Sequence, residues 1–362
     1  MAKKKNTKSA RLQLHPAASK LPFDLPGPFV ALPGNKLLTV DSHHILTSRD
    51  GGKTWLSTPF APQQSQYWTK DFQISDERVL FRTREGVLVL SFMNINELVF
   101  SWNNETKDSG PGVRLPQYVV RSLDNGKTWQ DAVCLHEDWT GEIRSIIQLK
   151  SGRLVISTQK LVHNPGRHAV VTYVSDDQGK TWAAGNLLEL GGCGHHDGVM
   201  EATIEQLSDG RVWMLLRTNW DFFWQAFSDD GRWWREIRPS EIDASSSPGQ
   251  LCRLRSGRLL LAWNRFAQAD GKKPEMRGGD GILSEAPSSW MRHELSLAFS
   301  EDDGETWSEP VVLASHPGVR LSYPRILEVK PGLVWVTTMQ GQLRAQFKES
   351  DMLRASQTQA KH

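Results

Sequence analysis

The chain has 362 residues, a formal net charge of +2 and 38% hydrophobic residues. That charge gives no reason to expect nucleic acid or an acidic membrane as a partner, and no apolar run is long enough to span a bilayer. Cys134, Cys193 and Cys252 are too few and too widely spaced for a disulfide framework or a zinc site, so they are expected to be buried thiols.

Residues 1–10 hold Lys3, Lys4 and Lys5 and read as a basic, disordered tail. No apolar segment of signal-peptide type follows them, which predicts a cytoplasmic location, or a secreted or periplasmic one if a leader has been removed. From Phe29 onward one pattern returns six times: an apolar strand, a glycine turn and a second apolar strand. The copies are FVALPGNKLLTV, VLFRTREGVLVLSF from Val79, RSIIQLKSGRLVIS from Arg144, ATIEQLSDGRVWMLL from Ala202, QLCRLRSGRLLLAW from Gln250 and PRILEVKPGLVWVTT from Pro324. Alternation and turn residues make each a β-hairpin.

After five of the six hairpins comes another strand and then a second recurring phrase, S-x-D-x-G-x-T-W. It reads SRDGGKTW at 48–55, SLDNGKTW at 122–129, SDDQGKTW at 175–182 and SEDDGETW at 300–307, with a shortened SDDGRWW at 228–234. Asp and Gly suit a tight turn, because Asp bonds nearby amides and Gly accepts a positive φ. The closing Trp is an apolar plug. Repetition at this period means stacked copies of one unit. Each unit is a four-stranded antiparallel blade, and the fold class is all-β: a single six-bladed β-propeller over residues 11–348. Blade six lacks the phrase and a fourth strand. RLQLH at 11–15 is expected to supply that outer strand and close the ring. The polar residues 349–362 are expected to form a frayed tail.

The hairpin glycines serve as a ruler. Nine residues before each lies the start of the blade's inner strand, next to the axis: Leu25, Glu77, Ile143, Glu201, Pro248 and Tyr323. Glu201 and Tyr323 share one register and are predicted to face the same central pocket within hydrogen-bond reach. Seven residues after each glycine lie Asp41, Met93, Gln159, Arg217, Asn264 and Met339. Eight before each Asp-Gly phrase lie Arg114, Arg167, Trp220 and Arg292, so that arginines could ring the mouth. The loop GGCGHHDGVME adds His195, His196 and Asp197 beside Glu201. No metal-ligand spacing is present, and neither metal nor organic cofactor is expected.

The recurring phrase is the Asp-box, and the chain resembles the sialidase superfamily of six-bladed propellers. Sialidases pair a tyrosine nucleophile with a glutamate base and bind the sugar carboxylate with three arginines. The resemblance places these roles on Tyr323 in LSYPRI, on Glu201 and Arg217 at the two ends of EATIEQLSDGRVWMLLR, and on Arg292 in MRHELSLAFS. A neutral phenol avoids the repulsion that a carboxylate nucleophile would meet at an anomeric carbon bearing its own carboxylate. Blade one departs from the family: Leu25 stands where the first arginine is expected, and Asp41 is a poor match for the acid. Arg144, Arg167 or Arg114 would then supply the third arginine, and Asp197, His196 or Glu77 the acid. His195 and Asn264 complete the expected sugar-binding set.

The resemblance implies a sialidase-like glycoside hydrolase whose partner is an acidic oligosaccharide or glycoconjugate, with ordinary sialosides poor substrates for want of the blade-one arginine. Two alternatives stay open. A polysaccharide lyase acting on uronates would need the arginines and the tyrosine but no acid loop. A non-catalytic glycan-binding propeller would need neither.

Overall fold

The computed structural model describes residues 11–63, 73–267, 269, 271 and 274–359; the basic tail foreseen at 1–10 lies outside them. Six blades stand around one axis, each built on four antiparallel strands, which follow in sequence order in blades one to four. In blade one these are Phe29–Leu32, Lys36–Val40, His44–Ser48 and Leu56–Pro59. The inner strands of the other five are Val79–Arg82, Thr140–Gln148, Met200–Gln206, Gln250–Arg253 and Pro324–Lys330. The core lies between blades rather than within them, in six apolar clusters that each join two neighbours. Burial on both faces explains why the second strand of a blade, such as Leu88–Met93, is apolar but for Ser91.

The Asp-boxes hold this packing together. In the second, Ser122 Oγ donates to Asp124 (2.8 Å) and accepts from the Gly126 amide (2.8 Å), while Asp124 accepts from the Thr128 amide and hydroxyl (2.9 and 2.7 Å). The same bonds recur in the first, third and fifth blades. The box glycine is pressed against the preceding blade. A Cβ on Gly126 would stand 2.4 Å from Leu38, and one on Gly304 2.6 Å from Trp213. Both glycines also have positive φ, 86° and 91°, so no other residue suits these positions.

Ring closure departs from the expected register. Gln13–Leu14 pairs with Val311–Ser315 as a fifth, outermost strand of blade five. Blade six is closed instead by Ala18–Lys20, which pairs with Arg344–Lys348. Between them the chain bends: the Ala18 amide bonds the His15 carbonyl (2.8 Å) and the Ala17 amide bonds His15 Nδ1 (3.1 Å). One short segment thus covers two open edges. The tail also differs. Glu349–Gln359 is a helix, anchored by Met352, which is fully buried between blades five and six, and by Leu353 and Ala355 packed against the same cluster. These apolar residues lie on one helical side within a polar stretch. The three cysteines are free thiols, Cys193 buried and the other two half-buried.

Removing residues 1–20 uncovers the outer edges of blades five and six together. At about 0.5–1.5 kcal/mol net per ladder hydrogen bond, the loss is a few kcal/mol, and bare edges favour association. The shortened chain is expected to melt at lower temperature and to self-associate, as read by calorimetry and light scattering.

Candidate functional site

Glu201 and Tyr323 occupy the axial ends of blades four and six, and both backbones are left-handed, with φ of 39° and 60°. At Glu201 a bulge between Met200 and Thr203 turns the side chain inward. Such conformations cost about 1–3 kcal/mol each in non-glycine residues and concentrate where a side chain must be aimed. Here both are aimed at one point: Tyr323 donates its hydroxyl to Glu201 Oε1 at 2.8 Å. Glu201 Oε2 takes a hydrogen bond from Arg217 at 2.5 Å, and the pair is almost wholly buried. The Gln159 side chain accepts from the Glu201 amide (3.2 Å).

Ser246, at the entrance of blade five, joins two arginines. Its hydroxyl accepts from Arg217 Nε and Nη2 (3.1 and 3.0 Å), and its carbonyl accepts from Arg292 (2.5 Å). Arg292 is buried but has no carboxylate partner among the described residues, and its guanidinium lies 5.8 Å from the Tyr323 ring centre. Burial and the Arg217 charge pull its pKa down to about 10. Trp290 packs beside it, and four guanidiniums approach that indole: Arg292 at 4.6 Å, Arg277 at 5.1 Å, Arg320 at 5.3 Å and Arg217 at 5.9 Å. Arg277 is neutralised by Glu275 (2.7 Å). Arg320 has no acidic partner among the described residues.

The protonation pattern follows from these contacts. Burial acts to raise the Glu201 pKa, but Arg217, Arg292 and the Tyr323 hydrogen bond outweigh it, and the carboxylate is held below its usual range. Burial and the Glu201 charge raise the Tyr323 phenol. The resting pair is a neutral phenol on an ionised carboxylate. Glu77, half-buried at the axis of blade two, is shifted upward by burial and by Asp76 and Glu201. Glu142 is raised well above its ordinary value by burial and by Glu77 and Glu201, with Arg144 opposing.

Several expected site residues have other work. Asp197 is buried, and its carboxylate accepts from the amides of Gly198 (2.8 Å), Glu285 (2.9 Å) and Cys193 (3.1 Å). These bonds knot two loops together. His195 packs its ring on Trp102 (5.5 Å). His196 does face Trp290 (5.6 Å), but burial and the nearby Arg217 drive its pKa down to about 2, so it is neutral and holds no spare proton to give. Arg114 is paired with Glu97 (2.6 Å), and Arg167 with Glu189 (2.9 Å) and the Pro165 carbonyl. Arg144 belongs to the site but not to its mouth: it donates to the carbonyls of Pro324 and Gly249, with its charge 5.8 Å from the Tyr323 ring centre. Asn264 ties the carbonyls of Glu294 and Leu321 (2.7 and 2.9 Å) and has a structural part. Asp41 caps its own loop at His43 and His44.

Sequence reasoning missed Ser246, Trp290 and Arg320. Trp290 and its neighbours sit on an insertion in blade five that carries an extra hairpin, Met276–Gly278 with Pro287–Ser289. An insertion has no counterpart in other blades, so the ruler does not reach it. Arg320 stands three residues before Tyr323, which was a usable signal.

The BNR repeat-like domain family matches residues 43–336. A sialidase of Micromonospora viridifaciens is 25% identical over 300 residues, 79% of this chain and 43% of that protein; the chain therefore spans less than half of this relative's length. Among solved structures, a protein of unknown function from Dyadobacter fermentans superposes with a TM-score of 0.60 at 16% identity, over 92% of this chain and 98% of that one. The Hadza microbial sialidase Hz136 does so with a TM-score of 0.59 at 15% identity, over 89% and 64%. At such identities these two similarities speak for the fold. The family match covers most of the ring and both inner strands that carry Glu201 and Tyr323: the chain belongs to the BNR repeat-like family of β-propellers.

Proposed function

We propose that the chain is a sialidase-like glycosidase that removes an acidic sugar from a glycan end. The observation that carries this reading is the Tyr323–Glu201 hydrogen bond in a pocket whose cations exceed their counter-charges. Among the described residues Arg292 is buried without a carboxylate partner, and Arg320, beside Trp290, has no ion pair. A sugar carboxylate supplies what they lack, and guanidiniums bind carboxylates in bidentate fashion. Arg320 takes the place of the arginine that Leu25 replaces. The sialidase relative supports the reaction class, and the identity of the acidic sugar is left to experiment.

In the first step Tyr323 attacks the anomeric carbon while its proton passes to Glu201 Oε1. The glycosidic C–O bond breaks, and the leaving oxygen takes a proton from Glu77. Glu77 suits this part because its raised pKa keeps a proton available, while Glu201, held low, is the ready acceptor. Water then attacks the same carbon and gives its proton to Glu77. The phenolate leaves and recovers its proton from Glu201.

Tyr323→Phe and Glu201→Gln are each expected to lower kcat by roughly 10²–10⁴-fold, and the double variant little further, because the two groups act as one unit. Arg292→Ala is expected to raise KM by roughly 10–100-fold, the worth of a charged hydrogen bond. A panel of fluorogenic sialosides and uronides provides the measurement; full turnover by Tyr323→Phe, or an unsaturated uronate product, contradicts the reading.

Glu77→Gln is expected to spare kcat/KM for substrates with good leaving groups, such as nitrophenyl glycosides, and to lower it for natural glycosides by at least about 10²-fold, since only poor leaving groups need the proton in the first step. The same substitution is expected to remove the fall in kcat/KM on the alkaline side, where Glu77 loses its proton. Equal losses on both substrate types would assign the acid elsewhere.

A further inference from the structure

One cavity lies apart from Tyr323. It is a channel of about 460 Å³ along the axis, lined by inner strands from the level of Arg144 and Arg325 down to the hairpin turns on the opposite face. Six arginines line it, Arg78, Arg82, Arg144, Arg253, Arg255 and Arg325, against two acids, Glu205 and Glu328; Arg253 is also paired with Asp303 (2.6 Å). Both carboxylates are occupied by backbone amides. Glu205 accepts from Arg253 and Gln206 (2.8 and 2.9 Å), and Glu328 from Arg255 and Gly332 (2.6 and 2.8 Å). Burial also raises the Glu205 pKa, which weakens its counter-charge.

At the deep end the guanidiniums bond mainly carbonyls, which satisfy N–H groups without neutralising them; Arg78 also meets the exposed Asp76 carboxylate (3.3 Å), and Arg144 lies 3.9 Å from Glu142. Arg325 reaches the Gly27 and Asp76 carbonyls (both 2.5 Å), and Arg78 those of Ser75 and Gly27 (2.7 and 3.3 Å). Burial and the charges of Arg78 and Arg144 bring the Arg325 pKa down to about 9. Arg78 is 3% exposed, and its Nε–H has no acceptor among the described residues. Toward the hairpin face, Arg82 has no acceptor for any of its N–H groups among the described residues, and its Nε is buried. Arg255 is 4.0 Å from Glu328, too far for a hydrogen bond.

We propose that the axial channel is an anion site separate from the Tyr323 cluster, taking a phosphate or sulfate group from the hairpin face, with Arg82 as its anchor and Arg255 assisting. A doubly charged oxyanion supplies acceptors in the directions guanidiniums require, and the channel walls exclude much of the screening solvent. The inference does not depend on the proposed reaction.

Inorganic phosphate, sulfate and glucose 6-phosphate, each set against sodium chloride at equal ionic strength, provide the test on the full chain by calorimetric titration and thermal melting. Saturable binding of at least one oxyanion is expected. It should survive Arg292→Gln, weaken at least tenfold in Arg82→Gln, and persist in Arg82→Lys. Preference for glucose 6-phosphate would indicate an organic phosphate, and preference for the inorganic ions a free oxyanion; both support the site. Stabilisation by chloride alone, or binding lost in Arg292→Gln and kept in Arg82→Gln, overturns it.

Discussion

The buried carboxylate of Glu201, held between Arg217 and Tyr323, is the constraint on which the rest of the structure depends. A carboxylate in that place is tolerable only while paired; removing one partner of a buried ion pair costs about 3–5 kcal/mol. The three groups come from strands of blades four and six, so the pairing exists only if the ring is closed and in register. Two left-handed backbones, at Glu201 and Tyr323, add strain that the surrounding packing must hold. The box glycines that let blades meet, the amino-terminal strands on blades five and six, and the Arg144 bonds to the Pro324 and Gly249 carbonyls all serve that end.

Positive charge is the second theme. Guanidiniums that bond carbonyls keep their charge, and Arg292 and Arg325 show the strain as lowered pKa values. On the mouth side this charge surrounds a neutral phenol, which in the proposed reading meets an anionic sugar without repulsion. In the proposed reading Arg320, beside Trp290 on the loop that leads into blade six, takes the part of the arginine expected where Leu25 stands.

Much of this was legible because the repeat is strict. Glycine turns at 210 and 332 fix the positions of Glu201 and Tyr323 by counting alone, and the same count ends a strand at Arg217. Counting fails where partners come from outside the repeat. Arg114 and Arg167 match the register of Arg292, yet Glu97 and Glu189 claim them. Asp197 is next to the site in sequence, but the amide of Glu285, 88 residues away, helps to turn its carboxylate into a loop clasp. The amino-terminal strand slipped by one blade because a bend at His15 lets one segment serve two edges. No composition rule anticipates that economy.

The central claim is that Tyr323 bonds covalently to the sugar. Incubation with a 3-fluoro sialosyl or uronosyl fluoride, chosen to match the acidic glycoside that the chain turns over, followed by peptide mass mapping, tests it directly. The account predicts one sugar adduct, on the peptide that contains Tyr323, absent in Tyr323→Phe. Turnover of the parent glycoside with the adduct on another residue, or with none, would contradict it.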